Sequence, residues 1–210
     1  SVAPVINDLV RLHRLLRSRK CRQVLEFGVG HSTLVIADAL RKNELEAMHG
    51  IDKAVAHTAK GDYTVDSVDG SKHWMDGLRS RIPAELANRI RLTFSEVKID
   101  LFQGQVCHCY QRLPDIVPDF IYLDGPDPRQ VKGSVHGLTF VNCNRTPMAA
   151  DILLLESTLL PSTFILVDGR TNNARFLERN LAREYQIVWD QDNDVTTFEL
   201  IEPPLSGATP

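Results

Sequence analysis

The sequence predicts an α/β protein built on a mostly parallel, doubly wound sheet, and three observations carry that expectation. Apolar β-rich runs exchange with helix-spaced segments along nearly the whole chain, the pattern of parallel strands joined by crossover helices. Near the end the pattern changes to two β-rich runs, 186–191 and 195–202, around the polar Asp192-Asn193-Asp194, which reads as an antiparallel hairpin completing the sheet. With 43% apolar residues in 210, the chain can bury one substantial core, so a single domain over 1–210 is expected.

The elements follow in order. Val5, Ile6, Leu9, Val10, Leu12, Leu15 and Leu16 recur at near-helical spacing after Pro4, so about 5–18 should be an amphipathic lead-in helix. Such a helix could serve a homo-oligomer as easily as cover the sheet. QVLEFG then reads as a strand, STLVIADALRK as a helix and LEAMHGID (45–52) as a second strand. HWMDGLRSRI is helical up to Pro83, RIRLTFSEV (89–97) is a strand, and 100–113 is a loop or short helix. DFIYLDG and TFILVDG are strands, each followed in its turn by glycine, while PMAADILLLESTLL and NARFLERNLAREY are helices. Two polar segments, about 56–72 and about 125–146, exceed ordinary connection lengths. The second follows the C-terminal end of a strand, where open α/β sheets bind ligands, so it is read as a lid. The tail from Glu202 onward is expected to be loose.

Charge narrows the partners. Charged residues make up 24% and the net charge is −3, which suggests neither a nucleic-acid surface nor a basic face that seeks membranes. No stretch approaches the roughly 20 apolar residues that span a bilayer. A cytoplasmic protein is expected, without nucleic acid and without membrane insertion, and its partners have to be read from local motifs. Cys21, Cys107, Cys109 and Cys143 lack the paired spacing of a zinc site, and His108 between two of them does not supply one.

The chemistry concentrates at Glu26-Phe27-Gly28-Val29-Gly30, where a strand turns into a helix and missing side chains let backbone N–H groups approach a ligand. Thr33 stands where a dinucleotide fingerprint wants its third glycine, which weakens a pyrophosphate reading. An acid two residues before the first glycine would repel phosphate and favour a positively charged ligand. Asp52, at the tip of the expected second strand, could accept both hydroxyls of a ribose, and Ser95-Glu96-Val97 at the end of the third could meet an adenine.

These motifs, in this order over about residues 20–202, resemble the class I S-adenosylmethionine-dependent methyltransferases. The resemblance implies a Rossmann-like, seven-stranded sheet and S-adenosylmethionine as cofactor. By the same resemblance Glu26, Gly28, Gly30, Ser32 and Thr33 would surround the methionine moiety, Asp52 the ribose, and Glu96 with Val97 the adenine, with Asp124 also at the cofactor. DGRTNNARFL is similar to bacterial methyltransferases that act on sugars or polysaccharides. Methyl transfer needs alignment and, for a hydroxyl acceptor, removal of a proton. Asp124 and Asp168, at the ends of neighbouring strands, are the candidate catalytic acids, either one as base. Together with Asn172 or Asn173 they could hold magnesium, although Gly-Arg-Thr-Asn-Asn departs from the usual metal pattern. His31, Asp127, Arg170, Asn172 and Asn173 are candidates for the acceptor. Trp74 and Tyr110 could flank adenine or acceptor, though packing is their default role. Two other function classes stay open: a nicotinamide-dependent oxidoreductase, and a non-catalytic module that keeps the fold.

Overall fold

The computed structural model describes residues 6–49, 62–141 and 145–203. Helix α1 (Ile6–Ser18) leads into β1 (Gln23–Phe27), and α2 (His31–His49) follows the glycine turn. Next come β2 (Thr64–Asp69), α3 (Lys72–Arg79), β3 (Ile90–Phe94), β4 (Val97–Phe102), β5 (Gln105–Tyr110), β6 (Phe120–Leu123) and the short β7 (Val131–Lys132). The chain continues with α4 (Asp151–Leu155), β8 (Phe164–Asp168), α5 (Thr171–Asn180), β9 (Tyr185–Asp190) and β10 (Val195–Leu200).

Seven strands form one sheet in the order β3-β2-β1-β6-β8-β10-β9. All neighbours are parallel as far as β8, and β10 then runs antiparallel to both β8 and β9, as the closing hairpin predicts. Side chains alternate across the pleat. Val24, Val65, Phe120, Tyr122, Phe164 and Leu166 pack under α1 and α2 with Leu12, Leu16, Ile36 and Leu40. Leu25, Phe27, Ile121, Leu123, Ile165 and Val167 face the other way. There they meet Val97, Cys107 and Tyr110 of a second, small sheet, ordered β5-β4-β7, and Ile152 and Leu177 of α4 and α5.

Three local expectations are corrected. Residues 45–49, read as the start of a strand, are the last turns of α2, where Asn43 Nδ2 donates to the carbonyls of Leu16 and Cys21 and Arg17 pairs with Glu46. The strand paired with β1 is instead Thr64–Asp69, inside a segment read as a polar insertion; Asp52 lies outside the described residues. The run 89–97 breaks at Ser95, and 100–113 contributes to the β4–β5 hairpin rather than a loop or helix. The segment expected as a lid is tied down at one point, where β7 pairs in parallel with β4 and buries Val131. No described helix is long and apolar enough to cross a membrane.

Candidate functional site

Because β2, β1, β6 and β8 are parallel and in register, their C-terminal ends share one rim. Phe27 is level with Val68 and Leu123, and Leu123 with Val167, so Gly28, Asp69, Asp124 and Asp168 follow side by side. Asp124 and Asp168 thus stand on neighbouring strands, as the sequence implies.

Glu26 does not look out from this rim. It is 0% exposed, on the α2 side of β1, and both its oxygens are taken. Ser32 Oγ donates to Oε1 at 2.5 Å, while Thr33 Oγ1 and Ser67 Oγ donate to Oε2 at 2.6 and 2.5 Å. Burial pushes its carboxyl up to about 7, against the pull of those three hydroxyls. Ser32 and Thr33 are therefore buried with it, and Thr33 Oγ1 also accepts the Gly30 N–H at 3.2 Å. These residues shape the glycine turn from behind.

Gly28 has a positive φ of +105°, and a Cβ there would lie 2.9 Å from Gly125 N. A Cβ on Gly125 would lie 2.5 Å from Gly28 Cα and 2.7 Å from Gly28 N. The two glycines allow the loop after β6 to rest directly on the turn after β1, so the space at Gly28 goes to protein backbone rather than to a ligand. Gly30 differs: a Cβ there would meet nothing nearer than Ser32 Oγ at 3.9 Å.

Asp69, missed with its strand, is the acid that ends β2. Its Oδ2 accepts the Val29 N–H at 2.9 Å and its Oδ1 the Ser71 N–H at 2.6 Å, which pins the glycine turn to the next strand. Burial raises its carboxyl above the ordinary range, and the two amides oppose that. Each oxygen keeps a further lone pair. The signal was Val-Asp-Gly at 68–70, hidden by the polar residues around it.

Asp168 is committed inside the protein: the Tyr122 hydroxyl donates to it at 2.6 Å and Arg11 of α1 at 3.5 Å. The Asp124 carboxylate accepts no hydrogen bond from a described residue. Although part of its side chain faces solvent, protein crowds it elsewhere, and that loss of water pushes its carboxyl up to about 6. Arg170 pulls it down and Asp168 adds to the rise. Arg170 Nη2 donates to the carbonyls of Asp124 and Pro126, the latter at 3.0 Å.

The other sequence candidates scatter. Asn173 is 0% exposed and clamps one peptide, accepting the Ala149 N–H at 2.9 Å and donating to its carbonyl at 3.0 Å. Asn172 and His31 are exposed, the latter 3.5 Å from Arg81 Nη1. Asp127 caps the turn 128–130 and pairs with the exposed Arg129. Glu96 pairs with Lys132 at 2.5 Å, which holds its carboxyl below the ordinary range, and Val97 is buried in β4. Among the described residues no group of three His, Cys, Asp or Glu side chains is arranged to hold a metal ion.

Solved structures share this architecture. The O-methyltransferase TomG from Streptomyces achromogenes, in complex with SAM, is 16% identical with a TM-score of 0.50, over 96% of this chain and 82% of that one. Cofactor-bound Rv0187 from MTB is 13% identical with a TM-score of 0.55, over 96% and 83%. The fold is that of the class I S-adenosylmethionine-dependent methyltransferases. The SAH-bound methyltransferase PaMTH1 from Podospora anserina is similar too, 13% identical at a TM-score of 0.52, over 95% and 80%. No family model matches the chain, and no curated protein sequence does. At such identities the likeness speaks for the methyltransferase fold alone. Along the rim, Asp69 and Asp124 supply acceptor oxygens and Gly30 leaves open space.

Proposed function

We propose that this chain transfers a methyl group from S-adenosylmethionine to a hydroxyl of a small molecule or glycan. The observation that carries the reading is the seven-stranded order with β10 reversed, in which the parallel, in-register strands β2, β1 and β6 bring Asp69, the glycine turn and Asp124 along one rim. The reversed strand favours it over a nicotinamide oxidoreductase. When bound, S-adenosylmethionine supplies an electrophilic methyl group on sulfur.

The proposed roles of the chain's residues are as follows. Asp69 takes the place first given to Asp52 and accepts the ribose hydroxyls. Gly30, on a turn shaped from behind by Glu26, Ser32 and Thr33, bounds the methionine side, with His31 beside it, while Gly28 seats the loop at Gly125. Glu96 flanks the adenine, with Val97 buried behind it. Asp124, with its carboxyl near 6, is ionised at neutral pH and basic enough to take the acceptor's proton as the new C–O bond forms. Asp168 positions Tyr122 and α1 rather than reacting. Arg170 is assigned to the acceptor, with Asp127, whose carboxyl it helps hold low, and the exposed Asn172 as further contacts.

Titration calorimetry with S-adenosylhomocysteine tests this. The protein should bind it, and Asp69→Ala, checked for folding by circular dichroism, should bind roughly tenfold or more weakly, the worth of a hydrogen bond to a charged group. Absence of binding by the unaltered protein would end the reading.

A further inference from the structure

Three hydrogen-bond donors are buried without partners on the far side of the rim, in the layer formed by β5 and the start of α5. His108 is 0% exposed, and its Nε2 accepts the Met148 N–H at 3.0 Å. A nitrogen that accepts carries no proton, so the neutral ring holds its proton on Nδ1, and Nδ1 has no described partner. Tyr110, two residues on and therefore on the same face of β5, is 4% exposed and its hydroxyl also lacks a partner. Its ring stacks on Phe27 with centroids 5.9 Å apart, beside the contact of Gly28 with Gly125.

Arg170 comes to the same place by a second route. The backbone of His108 bonds to Met148 and Ala150, and the peptide between them, Ala149, is clamped by Asn173 in the first turn of α5. This sets Arg170, three residues before Asn173, against the β5 layer. Its Nη2 is spent on two carbonyls, its Nη1 is buried without a partner, and no described carboxylate forms an ion pair with it. Asp124 and Asp127 act on it through space but neither is in contact, so this half-buried guanidinium keeps a bare Nη1 to offer an anion.

We propose that Arg170, Tyr110 and His108 form a subsite for a carboxylate on the methyl acceptor, so that the substrate is a hydroxy acid. As an acceptor subsite it rests on the methyl-transfer reading. A singly charged carboxylate suits the place better than a phosphate dianion, because Asp69 and Asp124 on the same rim oppose every further negative charge. Bound there, the carboxylate would hold the substrate across the rim from the glycine turn and leave its hydroxyl to Asp124.

The test is calorimetry of the whole protein with salicylate, salicylamide and inorganic phosphate, each with and without saturating S-adenosylhomocysteine. Salicylate should bind at least about tenfold more tightly than its neutral amide and more tightly than phosphate. Arg170→Gln should abolish that preference. Tyr110→Phe should weaken salicylate by roughly tenfold and leave the melting temperature of the free protein unchanged or raised, since the lost hydroxyl had no partner; this variant decides the matter if Arg170→Gln fails to fold. Equal binding of salicylate and salicylamide, tighter binding of phosphate, or a lowered melting temperature in Tyr110→Phe would each overturn the subsite. S-adenosylhomocysteine failing to bind while salicylate behaves as described would end the methyl-transfer reading and leave the anion site standing.

Discussion

Replacing Glu26 by glutamine should change how stability depends on pH. The carboxyl is wholly buried and its native pKa is about 7, against 4.5 for the free group. Between those values the folded chain keeps a proton that the unfolded chain has released. The group's contribution to stability is therefore complete below about 4.5 and declines as pH rises to about 7. At about 1.4 kcal/mol per pH unit, the decline amounts to about 3 kcal/mol. A glutamine side chain at this position cannot ionise, and its amide can donate to one of the hydroxyls of Ser32, Thr33 or Ser67, much as the protonated acid does. Urea unfolding of both proteins at pH 5 and pH 8 isolates the effect, because other raised carboxyls such as Asp151 titrate alike in each. The variant should gain about 2 to 3 kcal/mol on the original between the two conditions. A stability difference that stays constant within about 0.5 kcal/mol would mean that Glu26 holds the same charge at both, and would refute the reasoning.

Two further substitutions probe the frame of the site. Gly125→Ala should cost about 3 kcal/mol in chemical denaturation, since its Cβ would press on Gly28 backbone atoms at 2.5 and 2.7 Å that cannot step aside, whereas Gly30→Ala, with open space, should stay within about 0.5 kcal/mol. Asn173→Ala should cost about 2 to 3 kcal/mol and speed amide exchange at Ala149, whose N–H and carbonyl both lose their partner.

Much of the sheet was legible because β1, β6 and β8 are nearly continuous apolar runs, buried on both faces. β2 escaped because Thr64, Asp66, Ser67 and Asp69 look like a loop; Ser67 and Asp69 are buried with partners elsewhere in the fold, Glu26 for Ser67 and the Val29 and Ser71 amides for Asp69. Its place was given to 45–52 because Leu45 and Met48 suggest a core, yet both lie on the open side of α2. Of the site, the sequence located the rim acids Asp124 and Asp168. It could not tell that Glu26 faces inward, that Asn173 serves Ala149, or that Gly125 fills the space at Gly28. Those facts depend at least in part on pairs distant in the chain, Glu26 with Ser67 41 positions apart, Asn173 with Ala149 24 apart, and Gly28 with Gly125, which no local pattern records.

The meeting of Gly28 with Gly125 has a mechanical consequence. Two bare stretches of main chain touch there with no side chain between them to yield, and Arg170 fastens the carbonyls on either side of Gly125. Displacing the bend after β1 toward β6 would therefore press on main chain whose flanking carbonyls are held by a single guanidinium, and the hydrogen bonds of Arg170 are the first contacts such a displacement would strain.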